Sequence, residues 1–293
     1  MLTHCSFFAN VPTIEGRSHP ASRQRCDAAH YTILMINTIF QPDGLAIIEM
    51  ADPSGLNAID AQFAESLADA VRTVSSAENV RLVLLRSAGR CFGVGGNVSW
   101  FDVGREGLAD RIRTTLDSFA EVIQGLRSMP AIVVAAVNGS VAGGSLGLLF
   151  AADFVIAQAD ARFSMAYTKI GATPDAATSY FLTRQLGERR ALELLLLSES
   201  FGAERAKELG LVNIVVPRTG FEDECSQLVD RLLNGPTAAF LATKSLVQAA
   251  TGSTLPEHMD REAQTFVEIS RSRDFLEGVG AFLSKRSPEF AGN

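Results

Sequence analysis

The chain has 293 residues, 47% of them hydrophobic and 20% charged, which suits one large globular domain or a domain with an appendage. A formal charge of −7 argues against a nucleic-acid partner, which would select for a basic stripe. A membrane span would need an apolar run of roughly 18–20 residues, and the best candidate, LGLLFAADFVIA, is cut by Asp153.

Residues 1–34 differ from the rest. The stretch EGRSHPASRQRCDAAH is polar, slightly basic and aperiodic. Segment 1–38 reads as a disordered extension whose removal leaves folding intact, or as sequence upstream of a natural start at Met35. A transit peptide is the alternative, because acids are few and Arg and Ser are present. From residue 39 the pattern becomes regular. LAIIEMA (45–51) and VRLVLLRS (80–87) are short apolar runs that suit buried strands. Between them Phe63, Leu67, Val71 and Val74 recur at helical spacing, with Asp60 placed to cap. A long helix follows, striped by Leu108, Ile112, Leu116, Phe119, Ile123 and Leu126 and stopped before Pro130. AIVVAAVNG (131–139) is a further buried strand, GSLGLLFAA a helix and DFVIAQ a strand. Beyond residue 176 the chain reads as mostly helical, ending in one stretch that runs to about Arg286. Strands alternating with helices and then helices alone predict an α/β core over 39–230 and a helical region over 231–293.

The four cysteines, Cys5, Cys26, Cys91 and Cys225, form no C-x-x-C pair and read as reduced thiols of a cytoplasmic protein. The four histidines all lie outside 31–257. A Ser–His–Asp triad or a histidine-rich metal site in the core is therefore not expected.

Two strands run into glycine-rich turns, CFGVGGNVSWF (91–101) and VNGSVAGGSLG (137–147). Clustered glycines allow close backbone approach or positive φ. A dinucleotide fingerprint needs G-x-G-x-x-G after the first strand, and neither loop completes it: Val98 stands at the third position of one and Ala142 at the first position of the other. One further residue is conspicuous. In ATPDAATSY (172–180), Asp175 is a lone acid among small and apolar neighbours, either a helix cap or a catalytic group.

The segments LNAID (56–60), CFGVGGNVSWF, VNGSVAGGSLG and ARFSMAYTKIGATPDAATSYFLTRQLG stand in the order and spacing of the enoyl-CoA hydratase/isomerase (crotonase) family, which the chain resembles over about residues 40–293. The resemblance implies a spiral of ββα units and a C-terminal helical trimerisation region. It implies a homotrimer or hexamer acting on an acyl-CoA thioester, with coenzyme A as part of the substrate and no metal or other cofactor. It implies an oxyanion hole made by the N–H groups of Gly96 and Gly144. For CoA it implies backbone contacts at Asn57 and Ala58, with Phe266 and Lys285 approaching from the final helices.

The departures matter most. Family hydratases carry glutamates at two positions held here by Gly147 and Tyr167, so simple hydration is not expected. Asp175 falls where dienoyl-CoA and epoxyphenylacetyl-CoA isomerases carry a catalytic aspartate. The resemblance thus implies an isomerase of unsaturated or ring-containing acyl-CoA, with Asp175 as base and Tyr167 lining the pocket. A hydratase, a chlorobenzoyl-CoA dehalogenase-like enzyme and a non-catalytic acyl-CoA-binding member are the alternatives. The dehalogenase uses a histidine where this chain has Ala120.

Overall fold

Alternate residues of the apolar strands feed two different cores, which is why their runs look continuous in sequence. Residues 35–101, 104 and 106–292 are described in the computed structural model. The expected extension lies outside them up to residue 34. The first strand, β1 (Ile36–Phe40), begins three residues before the predicted core boundary and pairs antiparallel with β2 (Leu45–Met50). Helix α1 (Ala61–Ser76) then crosses to β3 (Leu82–Ser87), parallel to β2. Helix α2 (Leu108–Ser128) crosses to β4 (Ile132–Val137), parallel to β3. After a short β5 (Ser140–Ala142), helix α3 (Ser145–Ala151) leads to β6 (Phe154–Gln158), parallel to β4. The register carries Ile47 beside Leu84, Leu84 beside Val134 and Val134 beside Phe154.

From β6 the chain forms β7 (Arg162–Ser164), α4 (Thr178–Leu186), α5 (Glu188–Leu197), β8 (Phe201–Gly202), α6 (Ala203–Glu208) and β9 (Ile214–Val216). The main sheet has the order β1-β2-β3-β4-β6-β9, and β5, β7 and β8 make a second, small sheet. Bridges from Gly93 to Val141 and from Ile59 to Gly96 extend the pairing of that second layer. Each long strand is thus followed by a short paired segment and a helix, so the fold is the expected α/β spiral of ββα units.

Ile48, Met50, Val83, Leu85, Val133 and Ala135 point into the larger core with α1, α2 and α3. Leu45, Ile47, Leu82, Leu84, Val134 and Ala136 point the other way, against α7 (Phe221–Leu233) through Phe221, Cys225 and Val229. With both faces covered, a period-2 pattern has no polar half to show.

Asp60 caps α1, accepting from the Phe63 N–H at 3.0 Å. The stripe on α2 holds only in its second half. Phe119, Val122, Ile123 and Leu126 are buried, whereas Leu116 is exposed, because the first turns of α2 extend past the core. After α8 (Thr237–Ala250), the predicted final stretch to about Arg286 is two helices, α9 (Leu255–Ile269) and α10 (Arg273–Leu283). Thr254 with Glu257 forms a capping box on α9, and Ser272 caps α10 by accepting from Phe275 N–H, so each break carries its own start signal. The short strands β8 and β9, which fall where mostly helix was expected, owe their state to pairing with β7 and β6. Among the described residues no helix is long and apolar enough to cross a membrane.

Candidate active site

The two glycine loops lie backbone to backbone. Gly93 N–H donates to Ser140 O at 3.2 Å and Ala142 N–H donates to Gly93 O at 2.9 Å. The buried Ser145 hydroxyl accepts from Gly95 N–H at 3.1 Å. Gly95 has a φ of 84°, and a Cβ there would lie 2.8 Å from Ala142 O. No side chain fits between strands this close, which is the local reason for glycine.

This pairing leaves two donors over. In the parallel bridge between Ile59 and Gly96, Ile59 donates to Gly95 O and accepts from Asn97 N–H, both at 2.8 Å. The Gly96 N–H belongs to the other side of that strand. Gly144 precedes α3 as its N-cap, where a helix leaves N–H groups unmatched. Among the described residues neither Gly96 N–H nor Gly144 N–H has an internal acceptor. A Cβ on Gly96 would meet only the Phe101 ring, at 3.5 Å.

Asp175 lies against Gly144. A Cβ on Gly144 would stand 3.1 Å from Asp175 Oδ1 and 3.3 Å from Ile59 Cδ1. The aspartate does not cap the helix that follows. Helix α4 starts after Ala177 with no side-chain cap, and only the Asp175 backbone carbonyl accepts from Thr178 N–H, at 2.8 Å. Two successive left-handed alanines, Ala176 (φ 48°) and Ala177 (φ 57°), turn the chain there, a conformation that costs a non-glycine residue about 1–2 kcal/mol. The carboxylate is thereby freed from the helix end and directed to Tyr167, whose hydroxyl donates to Asp175 Oδ1 at 2.8 Å. The Tyr167 hydroxyl also lies 3.0 Å from Thr178 Oγ1, and Thr178 is fully buried.

Burial pushes the Asp175 carboxyl above the usual carboxylate range, opposed by the Tyr167 hydrogen bond and by its own backbone N–H. Burial and the neighbouring Asp175 charge raise the Tyr167 phenol, so it stays a neutral donor. Among the described residues no cation pairs with Asp175.

Gly147 shows why no second acid is present. A Cβ there would overlap the Ala176 carbonyl oxygen and lie 2.6 Å from the Ala176 side chain. The chain following Asp175 fills the space that a side chain at 147 would need. Pro174 and the small residues around Asp175 are the local features of this turn. Thr178 is not legible as a site residue in the sequence, because a threonine in a helical run carries no chemical signal by itself.

The remaining candidates separate from this cluster. Asn57 is 1% exposed, and its side chain is wholly internal: Nδ2 donates to Ser87 Oγ, Cys91 O and Phe92 O, and Oδ1 accepts from Asp52 N–H. It joins the LNA turn to the first glycine loop, leaving only backbone there for a ligand. Ala58 is half-buried beside it. Phe266 on α9 is 65% exposed and meets Phe275 edge-on, and Lys285 is exposed just beyond α10. No hydrogen bond, ion pair or ring contact among the described residues links either to the loops or to Asp175. An apolar cavity of about 350 Å³ lies elsewhere, lined by residues of α8 and α10 and by Phe290. Among the described residues no group of three or more His, Cys, Asp or Glu could hold a metal ion.

The arrangement offers two free N–H groups, a half-buried carboxylate beside one of them, and a neutral phenol behind the carboxylate. That suits stabilising an oxyanion while a proton moves nearby.

The family model for enoyl-CoA hydratase/isomerase matches residues 41–293. A Rhodobacter capsulatus protein named "Probable enoyl-CoA hydratase" is 38% identical over 251 residues, covering 85% of this chain and 95% of that one. The 1,2-epoxyphenylacetyl-CoA isomerase of Escherichia coli is 33% identical over 250 residues, covering 85% of this chain and 95% of that one. Among solved structures, an enoyl-CoA hydratase from Polaromonas sp. JS666 matches with a TM-score of 0.81 at 29% identity, over 87% of this chain and 99% of that chain. The chain belongs to the enoyl-CoA hydratase/isomerase family.

Proposed function

We propose that this member of the enoyl-CoA hydratase/isomerase family is an isomerase that moves a double bond, or rearranges a ring, in an unsaturated acyl-CoA. The observation that carries the reading is the single carboxylate. Asp175 sits beside Gly144, while Gly147 has no room for an acid and Tyr167 turns a phenol toward Asp175.

The thioester oxygen accepts hydrogen bonds from Gly96 and Gly144 N–H. Asp175 removes a proton from an acidified carbon of the acyl chain, and the C–H electron pair delocalises to the thioester oxygen as an enolate. The protonated Asp175 then returns that proton to a different carbon, and the thioester carbonyl re-forms. The net change is a shifted double bond, with no atom gained or lost. Removing one donor aimed at a developing oxyanion typically costs about 2.7–4 kcal/mol. Coenzyme A enters as part of the substrate, with backbone at Asn57 and Ala58 and side chains of Phe266 and Lys285 as its proposed contacts.

The test is a panel of enoyl-, dienoyl- and aryl-epoxide CoA thioesters incubated with purified protein and analysed by NMR for double-bond position. Migration without change of mass supports the reading. Addition of water to the enoyl substrates, without migration, overturns it in favour of a hydratase.

The C-terminal helices support self-association as a homotrimer or hexamer. Leu255, Phe266, Phe282 and Leu283 are 65–83% exposed in the single chain, more apolar surface than an isolated helical appendage leaves in water. Sedimentation at micromolar concentration is expected to give a trimer or larger, and a monomer would reject this.

A further inference from the structure

We propose that Tyr167 is the positioning residue of the site: its hydroxyl, fixed by Thr178, holds one carboxylate oxygen of Asp175 so that the other is presented to the acyl chain. This rests on the reading of Asp175 as the base.

The direction of the hydrogen bonds follows from proton counting. Tyr167 has one hydroxyl proton, and it is donated to Asp175 Oδ1. The contact between Tyr167 and Thr178 must then run from the Thr178 hydroxyl to the phenol oxygen. The result is a one-way chain, Thr178 to Tyr167 to Asp175, with Tyr167 6% exposed and Thr178 fully buried, so water does not compete for its links. Asp175 Oδ2 accepts no side-chain hydrogen bond among the described residues.

Three elements converge on the carboxylate and fix what it can do. The turn Tyr167–Ile170 brings the phenol, α4 brings Thr178, and the start of α3 brings Gly144 and, behind Ala176, Gly147. Among the described residues none of these elements, nor Ile59 opposite, turns a charged group toward Asp175, and the phenol is its only titratable neighbour. A neutral donor keeps the carboxylate oriented without the strong depression of proton affinity that a lysine or arginine would cause. That combination is what a base needs if it must both take and return a proton. It also gives the phenol a purpose other than contact with the acyl group.

Tyr167→Phe keeps the ring and removes the donor; Thr178→Val keeps the β-branched shape and removes the donor behind it. With a substrate from the CoA panel, Tyr167→Phe is expected to lower kcat by about 10- to 100-fold, the scale of losing orientation at a reacting group. KM should change less than about threefold on the same reasoning. The acid limb of the pH profile of kcat/KM should move to higher pH, because the ionised carboxylate loses a hydrogen bond. Thr178→Val should shift both in the same direction and less. A 13C-NMR titration of aspartate-labelled protein, with Asp175 assigned by the peak lost in Asp175→Asn, reads the same shift without substrate. Unchanged kcat, acid limb and Asp175 titration in both variants would overturn the proposal, as would a rise in KM alone, which would make Tyr167 an acyl contact. Asp175→Asn assayed in parallel separates the two ideas. If it is inactive while Tyr167→Phe is normal, only the positioning role fails; if it is fully active, the base assignment fails.

Discussion

Asp153 and Asp175 are both drawn partly out of water in this fold, and they are treated in opposite ways. Asp153, at the start of β6, is paired with Lys244 of α8 at 2.7 Å, with side chains only 12% and 8% exposed. Its Oδ2 also accepts from Val133 N–H at 2.9 Å. Lys244 donates in addition to Met129 O and Ala131 O, so its three N–H groups are all used. Burial pulls the Lys244 amine below its ordinary range, and the Asp153 charge opposes this. Asp175 has only neutral donors, the Tyr167 hydroxyl and its own backbone N–H, and it lies against Gly144, whose N–H has no acceptor among the described residues. A neutralised buried carboxylate pins an element in place. An un-neutralised one carries a cost in the folded state, and such costs cluster where chemistry is done.

The largest break in this contrast is Asp175→Asn. The amide oxygen still accepts from Tyr167, so the loop keeps its hydrogen bond while the base is lost. Turnover should fall by roughly two to four orders of magnitude, and the melting temperature should hold or rise slightly. A lower melting temperature with unchanged turnover would make Asp175 structural. Lys244→Met attacks the other region. It leaves Asp153 buried without its partner, at a cost of about 3–5 kcal/mol. Denaturant titration should show that loss, while turnover per folded molecule stays near wild type. Gly147→Ala should cost about 1–3 kcal/mol by overpacking and should lower turnover, because Ala176 must move and Asp175 moves with it. Equal turnover in Gly147→Ala would mean the Asp175 turn is not fixed by that contact.

The smallest effect is on stability against pH. The folded carboxyl of Asp175 holds its proton to higher pH than the unfolded one. Between those two values the folded chain binds more protons, so stability falls as pH rises through the window. Above it the ionised group is a standing cost. Activity runs the other way, since it needs the ionised base and is lost as pH falls through the folded value. Melting curves of wild type and Asp175→Asn should diverge across that window, with the variant flatter; parallel curves would remove the cost assigned to this group.

Local chemistry made most of the spiral legible. Asp60, Pro130 and the apolar runs of β2, β3, β4 and β6 mark their elements through capping, missing N–H groups and two-sided burial. Strands of two or three residues such as β8 and β9 are not encoded locally, because partners far along the chain impose them. The same limit applies at the site. The two glycine loops and Asp175 stand out by residue type and the resemblance singles out Gly96 and Gly144 within the loops, but the Tyr167–Thr178 link depends on a turn through left-handed Ala176 and Ala177, residues with no sequence preference for that conformation. Asp153 was visible only as a break in an apolar run, since its partner Lys244 lies 91 residues on, beyond any local pattern.

The central claim is that Asp175 carries a proton from one acyl carbon to another while Gly96 and Gly144 hold the thioester oxygen. The most direct measurement uses an enoyl-CoA deuterated at the carbon that loses its proton, in water enriched in 18O, with product analysed by mass spectrometry and NMR. The account predicts deuterium at the new carbon, no 18O in the acyl chain, and loss of the transfer in Asp175→Asn. Product carrying 18O on the acyl chain, or full deuterium transfer in Asp175→Asn, would contradict it.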